Sequence, residues 1–99
     1  MAEPRWTLRY DPRVLHRMAK VQDRAILHRL EVAAKRLEKQ PRLGKLLKGH
    51  HDVRSYRVGT PGGEYRILYR LIPDDLVVFI VLIAPRDEVY ELLDRQDRM

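Results

Sequence analysis

The sequence predicts an α+β fold: two N-terminal helices packed on a small twisted antiparallel sheet of about four strands, then a short C-terminal helix. Three observations predict it. Residues 11 to 40 carry apolar side chains at helical spacing. Residues 53 to 59 and 65 to 72 alternate between two faces, as pleated strands do. Leu76 to Ala84 is apolar at every position and stops abruptly at Pro85-Arg86, which describes a strand covered on both faces and central in its sheet.

In chain order, Trp6 to Tyr10 (WTLRY) alternates and suits an edge strand joined to the sheet. Asp11-Pro12 supplies an acidic N-cap and a proline at the first helical position. Val14, Leu15, Met18 and Ala19 then fall on one helical face. Asp23 offers a second N-cap, and Ile26, Leu30, Ala33, Ala34 and Leu37 continue an apolar stripe that should end at Gln40, ahead of Pro41. These signals predict a helical hairpin, or one broken helix, lying across the sheet. The segment PRLGKLLKGHHD reads as a loop. Thr60-Pro61-Gly62-Gly63 turns VRSYRVG into the strand from Tyr65, and Pro73-Asp74-Asp75 turns that strand into the next. The result is a three-stranded antiparallel meander. Asp87 is placed to cap a last helix, with the tail ELLDRQDRM fading into charge.

Ninety-nine residues suit a single domain, 1–99, with one core. The absence of cysteine excludes disulfides and thiolate zinc sites. The N-terminal residues lack the apolar core of a signal peptide, and the apolar run is too short to span a bilayer as a helix, so a cytoplasmic protein without a membrane partner is expected. The formal net charge is +6 and the pI is near 10.0. Such a balance favours nucleic acid or an acidic protein partner without choosing between them. Along the helices, Arg13, Arg17, Lys20, Arg24, Arg29, Lys35, Arg36 and Lys39 form a charged face interrupted by Glu31 and Glu38. It fits a solvated surface, and it also fits contact with phosphates. His50 and His51 are adjacent, which is poor spacing for one metal ion, and they read as loop residues; no metal or other cofactor is expected.

Arg57, Arg66, Arg86 and Tyr90 are the candidates for chemistry. Arg86 ends a buried strand, where a rigid frame fixes a charge, and Tyr90 lies one helical turn later. As residues alone they admit two readings. Arginines alternating with core positions are ordinary on half-exposed sheets, and Tyr90 fits a helix–sheet seam. Equally, guanidiniums bind phosphate oxygens in pairs and stabilise a charged transition state, while a phenol among them can serve as base or stacking platform.

The series GKLLKG, YRVG, EYRILYRL and VVFIVLIAPRDEVY, in this order and preceded by a helical hairpin ending at Pro41, resembles the RelE/ParE superfamily of toxins from type II toxin–antitoxin systems over nearly the whole chain. The resemblance implies the RelE-like microbial RNase fold, a twisted antiparallel sheet packed against two N-terminal helices. Its RelE-like branch implies a metal-independent endoribonuclease (an mRNA interferase) that cuts mRNA in the ribosomal A site and inhibits translation. By motif, Arg57, Arg66, Arg86 and Tyr90 take the places of that branch's basic and aromatic catalytic residues. Lys45, Lys48, Arg54 and Arg70 are the accompanying RNA-binding candidates. The implied partners are a cognate antitoxin, the mRNA and the ribosome with its rRNA. The ParE-like branch shares the fold and implies instead a binding protein that inhibits DNA gyrase. One departure bears on the chemistry: many relatives carry histidine just before the Arg86 position, where this chain has Pro85.

Overall fold

The computed structural model describes residues 5–97. Its elements are β1 (Thr7–Tyr10), α1 (Pro12–Met18), α2 (Arg24–Lys39), β2 (Lys45–Leu46), β3 (Arg54–Thr60), β4 (Gly63–Ile72), β5 (Val77–Pro85) and α3 (Arg86–Asp97). The strands form one sheet in the order β1-β5-β4-β3-β2. No described helix is long and apolar enough to cross a membrane.

Both helix starts obey the local chemistry read from the sequence. The Asp11 carboxylate accepts from the Arg13 N–H at 2.8 Å, with Pro12 at the first helical position. Asp23 accepts from the N–H groups of Ala25 and Ile26, donors that have no partner inside the helix. α2 stops before Pro41 and buries Leu30, Ala33, Ala34 and Leu37. α1 departs from the expected apolar face. Leu15 is 54% exposed and Ala19 is exposed, because a helix of two turns meets the sheet only through Val14 and, in part, Met18.

The sheet has five strands rather than about four and is mixed rather than wholly antiparallel. β1 is an edge strand, as expected, but runs parallel to β5 with Thr7 opposite Val77. The additional strand, β2, lies inside the segment expected to be a loop and pairs antiparallel with β3. It is held from beneath by Tyr69, which is wholly buried. The Tyr69 hydroxyl donates to the Pro41 carbonyl at 2.7 Å and accepts from the Gly44 N–H at 2.8 Å. Gly44 is required by this contact: a Cβ there would lie 2.7 Å from the Tyr69 oxygen and 3.1 Å from the Ser55 carbonyl.

β3 and β4 pair without interruption to Thr60 and Gly63, leaving a two-residue hairpin at Pro61-Gly62. Gly63 has φ +109, which favours glycine. Pro73–Asp75 forms a single 3₁₀ turn that closes on Leu76 in the left-handed region. β5 is an interior strand between β1 and β4, and β4 occupies the middle of the sheet.

Two apolar layers flank the sheet. Ile67, Tyr69, Val78, Ile80 and Ile83 face α1 and α2 together with Val14, Leu30, Ala34 and Leu37. On the other side Val53, Leu68, Val81, Leu82 and Ala84 meet Val89 and Leu93 of α3. A bulge adjusts β5 to its second cover. Leu68 pairs with Leu82 while Tyr69 pairs with Ile80, so Val81 is the extra residue. Its carbonyl accepts from Nε2 of Gln96 at 2.9 Å, which fastens the far end of α3. Asp87 lies in the first turn of α3, which already begins at Arg86; it therefore contributes charge near the helix N-terminus rather than the expected cap. The helix continues to Asp97, and the end of the expected fading tail, residues 98 and 99, lies outside the described residues.

Tyr69→Phe tests the tie between α2 and the sheet. It leaves the buried Gly44 N–H without its acceptor and should destabilise the protein by about 1–3 kcal/mol, measured as a lower urea midpoint with unchanged slope. A change below about 0.5 kcal/mol would show that the hydroxyl is dispensable.

Candidate functional site

Strand register brings the four candidate residues together. Arg57 on β3 lies directly opposite Arg66 on β4, and Arg66 lies opposite Ala84 on β5. Directly opposed residues share a face, here the face covered by α3. Arg86 is the first residue of α3, and Tyr90 is one turn further along the same helix. The buried Val89 and Leu93 seat the helix, so Tyr90, 39% exposed, stands at the rim of its contact with the sheet.

At the centre is Glu64, a residue that the sequence alone does not single out. It is two residues before Arg66 and so on its face. Its Oε2 accepts from Arg66 Nε at 2.7 Å and lies 3.8 Å from Arg86 Nε, while Oε1 lies 3.4 Å from Arg57 Nε. Three guanidiniums therefore surround one carboxylate. They are not equivalent: the Arg66 side chain is 16% exposed, whereas those of Arg57 and Arg86 are 71% and 68% exposed. Arg66 also reaches the Tyr90 hydroxyl at 3.4 Å and the buried Ser55 hydroxyl at 3.5 Å through Nη1, both long contacts. Like charges directly opposite each other on adjacent strands repel, and Glu64 offsets that repulsion between Arg57 and Arg66.

The Arg66 hydrogen bond holds the Glu64 carboxyl below its ordinary value of 4.5, against the opposing effect of burial; the charges of Arg66, Arg57 and Arg86 act in the same direction as the bond. A carboxyl whose folded value is depressed lends stability above the unfolded value and loses it as pH falls through the folded value. The contribution of the cluster is thus fully present above 4.5 and is lost only as pH falls through the lower folded value.

The other cations disperse. Lys45 is exposed and lies opposite Ser55, hence on the cluster's face one strand further out. Lys48 is exposed beyond β2. Arg70 is exposed on the Arg66 face, but four residues along the strand, about 13 Å away. Arg54 belongs to the opposite face, where its Nη1 donates to the Gly44 carbonyl at 2.9 Å. His50 lies 3.7 Å from Asp94 and 3.6 Å from Asp97 near the end of α3, and His51 is 3.0 Å from Asp52. His16 and His28 are exposed on the helices. A groove lined by Trp6, Lys35, Arg36, Lys39 and Arg42 lies on the helix side of the sheet and contains none of the four candidates. In the sequence Glu64 is legible only as a charge at a hairpin end; its partners become visible once the β3–β4 register is fixed.

Chemically, the arrangement offers one largely buried guanidinium, two solvent-exposed ones, a phenol and a carboxylate within one patch. That set suits binding and neutralising a phosphate group.

Comparison with known proteins bears on the family and the fold. The family profile described as the ParE toxin of the type II toxin–antitoxin system parDE matches residues 8–90. No curated protein is significantly similar to this chain. A doubly substituted Escherichia coli RelE toxin in the free state superposes with a TM-score of 0.75 at 20% identity, covering 97% of this chain and 99% of that one. The toxin–antitoxin complex RelBE2 from Mycobacterium tuberculosis gives a TM-score of 0.71 at 28% identity, over 84% of this chain and 100% of that one. The RelE–RelB complex from Pyrococcus horikoshii gives 0.60 at 24% identity, over 84% and 97%.

A carboxyl titration followed by NMR should place the Glu64 midpoint below 4.5, and Arg66→Ala should return it toward that value. An Arg66→Ala protein with an unmoved midpoint would mean that the Arg66 bond does not govern the cluster. With the family profile matching residues 8–90 and the fold in agreement, this chain belongs to the ParE toxin family of type II toxin–antitoxin systems, within the RelE/ParE superfamily.

Proposed function

We propose that this toxin is a ribosome-dependent, metal-independent mRNA endonuclease that inhibits translation and is silenced by a cognate antitoxin. The observation that carries the reading is the convergence of Arg57, Arg66 and Arg86 around one carboxylate, with the Tyr90 hydroxyl reaching Arg66. In this reading the ribose 2′-oxygen attacks the adjacent phosphorus and the 5′-oxygen leaves. The 2′-hydroxyl gives up one proton, the departing oxygen takes one, and a 2′,3′-cyclic phosphate remains. The guanidiniums carry the negative charge that grows on the phosphorane. A guanidinium has no acceptor to offer and acts here by charge, not as a base. Tyr90, whose hydroxyl lies 3.4 Å from Arg66 Nη1, would exchange a proton with the ribose or stack on a base. Lys45, on the same face, and Lys48 would track the flanking backbone, contributing affinity without reading sequence.

The antitoxin part of the reading is supported by relatives whose structures are toxin–antitoxin complexes, among them RelBE2 and the Pyrococcus pair. A basic toxin of this kind suits an acidic segment that folds on binding. The net charge of +6 is consistent with both an RNA substrate and such a partner.

Primer extension on a defined mRNA with purified protein and programmed ribosomes, with and without EDTA, tests the proposal. New cuts in the A-site codon that require ribosomes and survive EDTA are expected. Arg86→Ala and Tyr90→Phe should each lower the cleavage rate by at least about 100-fold with unchanged melting temperature. If both variants cut as well as the parent, these residue roles are wrong. Growth arrest on expression without any cuts would point to the gyrase-binding activity of the ParE-like branch.

A further inference from the structure

Glu64 is unusual among the residues of the cluster because its charge has the wrong sign for an RNA site. A carboxylate among phosphate-binding arginines repels the ligand they would bind, yet it sits where all three can reach it. A carboxylate and a phosphate present oxygens to guanidinium in the same forked way. The place that Glu64 holds is therefore one where a phosphate oxygen satisfies the same donors.

We propose that Glu64 is the resident anion of the site: in the free protein its carboxylate stands in for an RNA phosphate, and an incoming phosphate takes Arg57 and Arg86 from it while Arg66 remains. This rests on the phosphate-binding reading of the cluster. The distances divide the arms accordingly. The Arg66 contact at 2.7 Å is a short charge-assisted hydrogen bond on a side chain that is mostly buried. The Arg57 and Arg86 contacts, at 3.4 and 3.8 Å, are longer than good hydrogen bonds and belong to side chains mostly in water. Exposed pairs of that kind are worth little and exchange readily. One arm is built to hold and two are built to let go.

The toxin gains two properties from this arrangement. Glu64 is a positioning residue, since it keeps Arg66 aimed at Ser55 and Tyr90 and prevents the Arg57–Arg66 pair from splaying. It is also a discriminator. Any anion must displace the same carboxylate, and a free phosphate has no other anchor to compensate for that. A phosphodiester held in place along its strand does. The ligand class favoured is thus a phosphate within an oriented polynucleotide, not small anions from solution.

The test is titration of the full chain with inorganic phosphate at low salt and neutral pH, read from the arginine Nε–H NMR signals. Wild type, Glu64→Gln and the double variant Arg57→Ala/Arg86→Ala are compared, each checked for an unchanged melting temperature. Glu64→Gln keeps an oxygen that can accept from Arg66 and removes only the charge. It should bind phosphate at least about fivefold more tightly than wild type, and Arg57→Ala/Arg86→Ala should lose binding. If Glu64→Gln binds no better while wild type binds through Arg57 and Arg86, the resident-anion role is overturned and the phosphate-binding reading stands. If phosphate binds to none of the proteins, or binds Arg57→Ala/Arg86→Ala as well as wild type, the phosphate-binding reading fails and this inference with it. Wild type alone gives an independent answer: phosphate should move the Arg57 and Arg86 signals strongly and that of Arg66 least, and the reverse order would overturn the assignment of fixed and mobile arms.

Discussion

β5 presents Val78, Ile80 and Ile83 to one side of the sheet and Val81, Leu82 and Ala84 to the other, and both sets must leave water. The first side is covered by α1 and α2, which precede the meander. The second is covered by the chain downstream of β5, which folds back on the sheet immediately after Pro85. That requirement sets the site. A helix that begins at Arg86 and buries Val89 and Leu93 carries Tyr90 onto the sheet beside Arg66. The bulge at Val81 turns an extra apolar side chain toward α3 and presents its carbonyl to Gln96, so the helix is held at its end as well as along its length. Burial of roughly 1.5–3 kcal/mol for each such apolar side chain far exceeds any contact within the polar cluster. The polar patch is therefore positioned by the core and contributes little to holding the fold together.

This order of magnitudes explains why a cross-strand arginine pair is tolerated. Arg57 and Arg66 face each other in the ladder, an arrangement that weakens a hairpin. The cost is limited because Arg57 is mostly in water and Glu64 lies beside both. The hairpin is also secured independently of charge: the turn is short, Thr60 donates its hydroxyl to the Gly63 carbonyl at 2.6 Å, and Val58 and Ile67 are buried on the reverse side. Repulsion between like charges at the candidate site is thus carried by a frame that does not depend on it.

Legibility in the sequence tracks the range of each interaction. Helix starts at Asp11 and Asp23, the stop before Pro41, the turn at Pro73 and the doubly buried strand all depend on neighbours within a few residues, and all appear as read. β1 against β5 is a pairing across 70 positions whose direction no local pattern encodes, and its parallel sense departs from the expected antiparallel sheet. β2 is only two residues long and exists because Tyr69, far away in sequence, ties down Gly44. Within the site, Arg57, Arg66, Arg86 and Tyr90 are legible from strand alternation and motif resemblance. Glu64 is not, because a glutamate beside a turn looks like solvent-facing charge until the register places three arginines around it. Arg54 looks like Lys45 as a cation; alternation on β3 puts it on the reverse face, where it supports the Gly44 loop.

In the proposed reaction the question left by Pro85 is which group moves the proton. The four histidines do not answer it: His16 and His28 lie on the outer helices, His50 faces Asp94 and Asp97, and His51 faces Asp52. Glu64 is a weak base while Arg66 holds its charge, since the hydrogen bond that depresses its proton affinity is the shortest in the cluster. Displacement by phosphate would remove two of the three guanidiniums but not that one. Tyr90 remains, joined to the same arginine. A site of this composition is stronger in charge than in proton transfer, so its rate must come mainly from stabilising the phosphorane and from an RNA already bent for in-line attack. Among the described residues the cluster lies on a sheet face rimmed by α3. In the proposed reaction, orientation of the strand then falls to whatever presents it, which is the physical argument for proposing a ribosome-held mRNA, rather than free RNA, as the substrate.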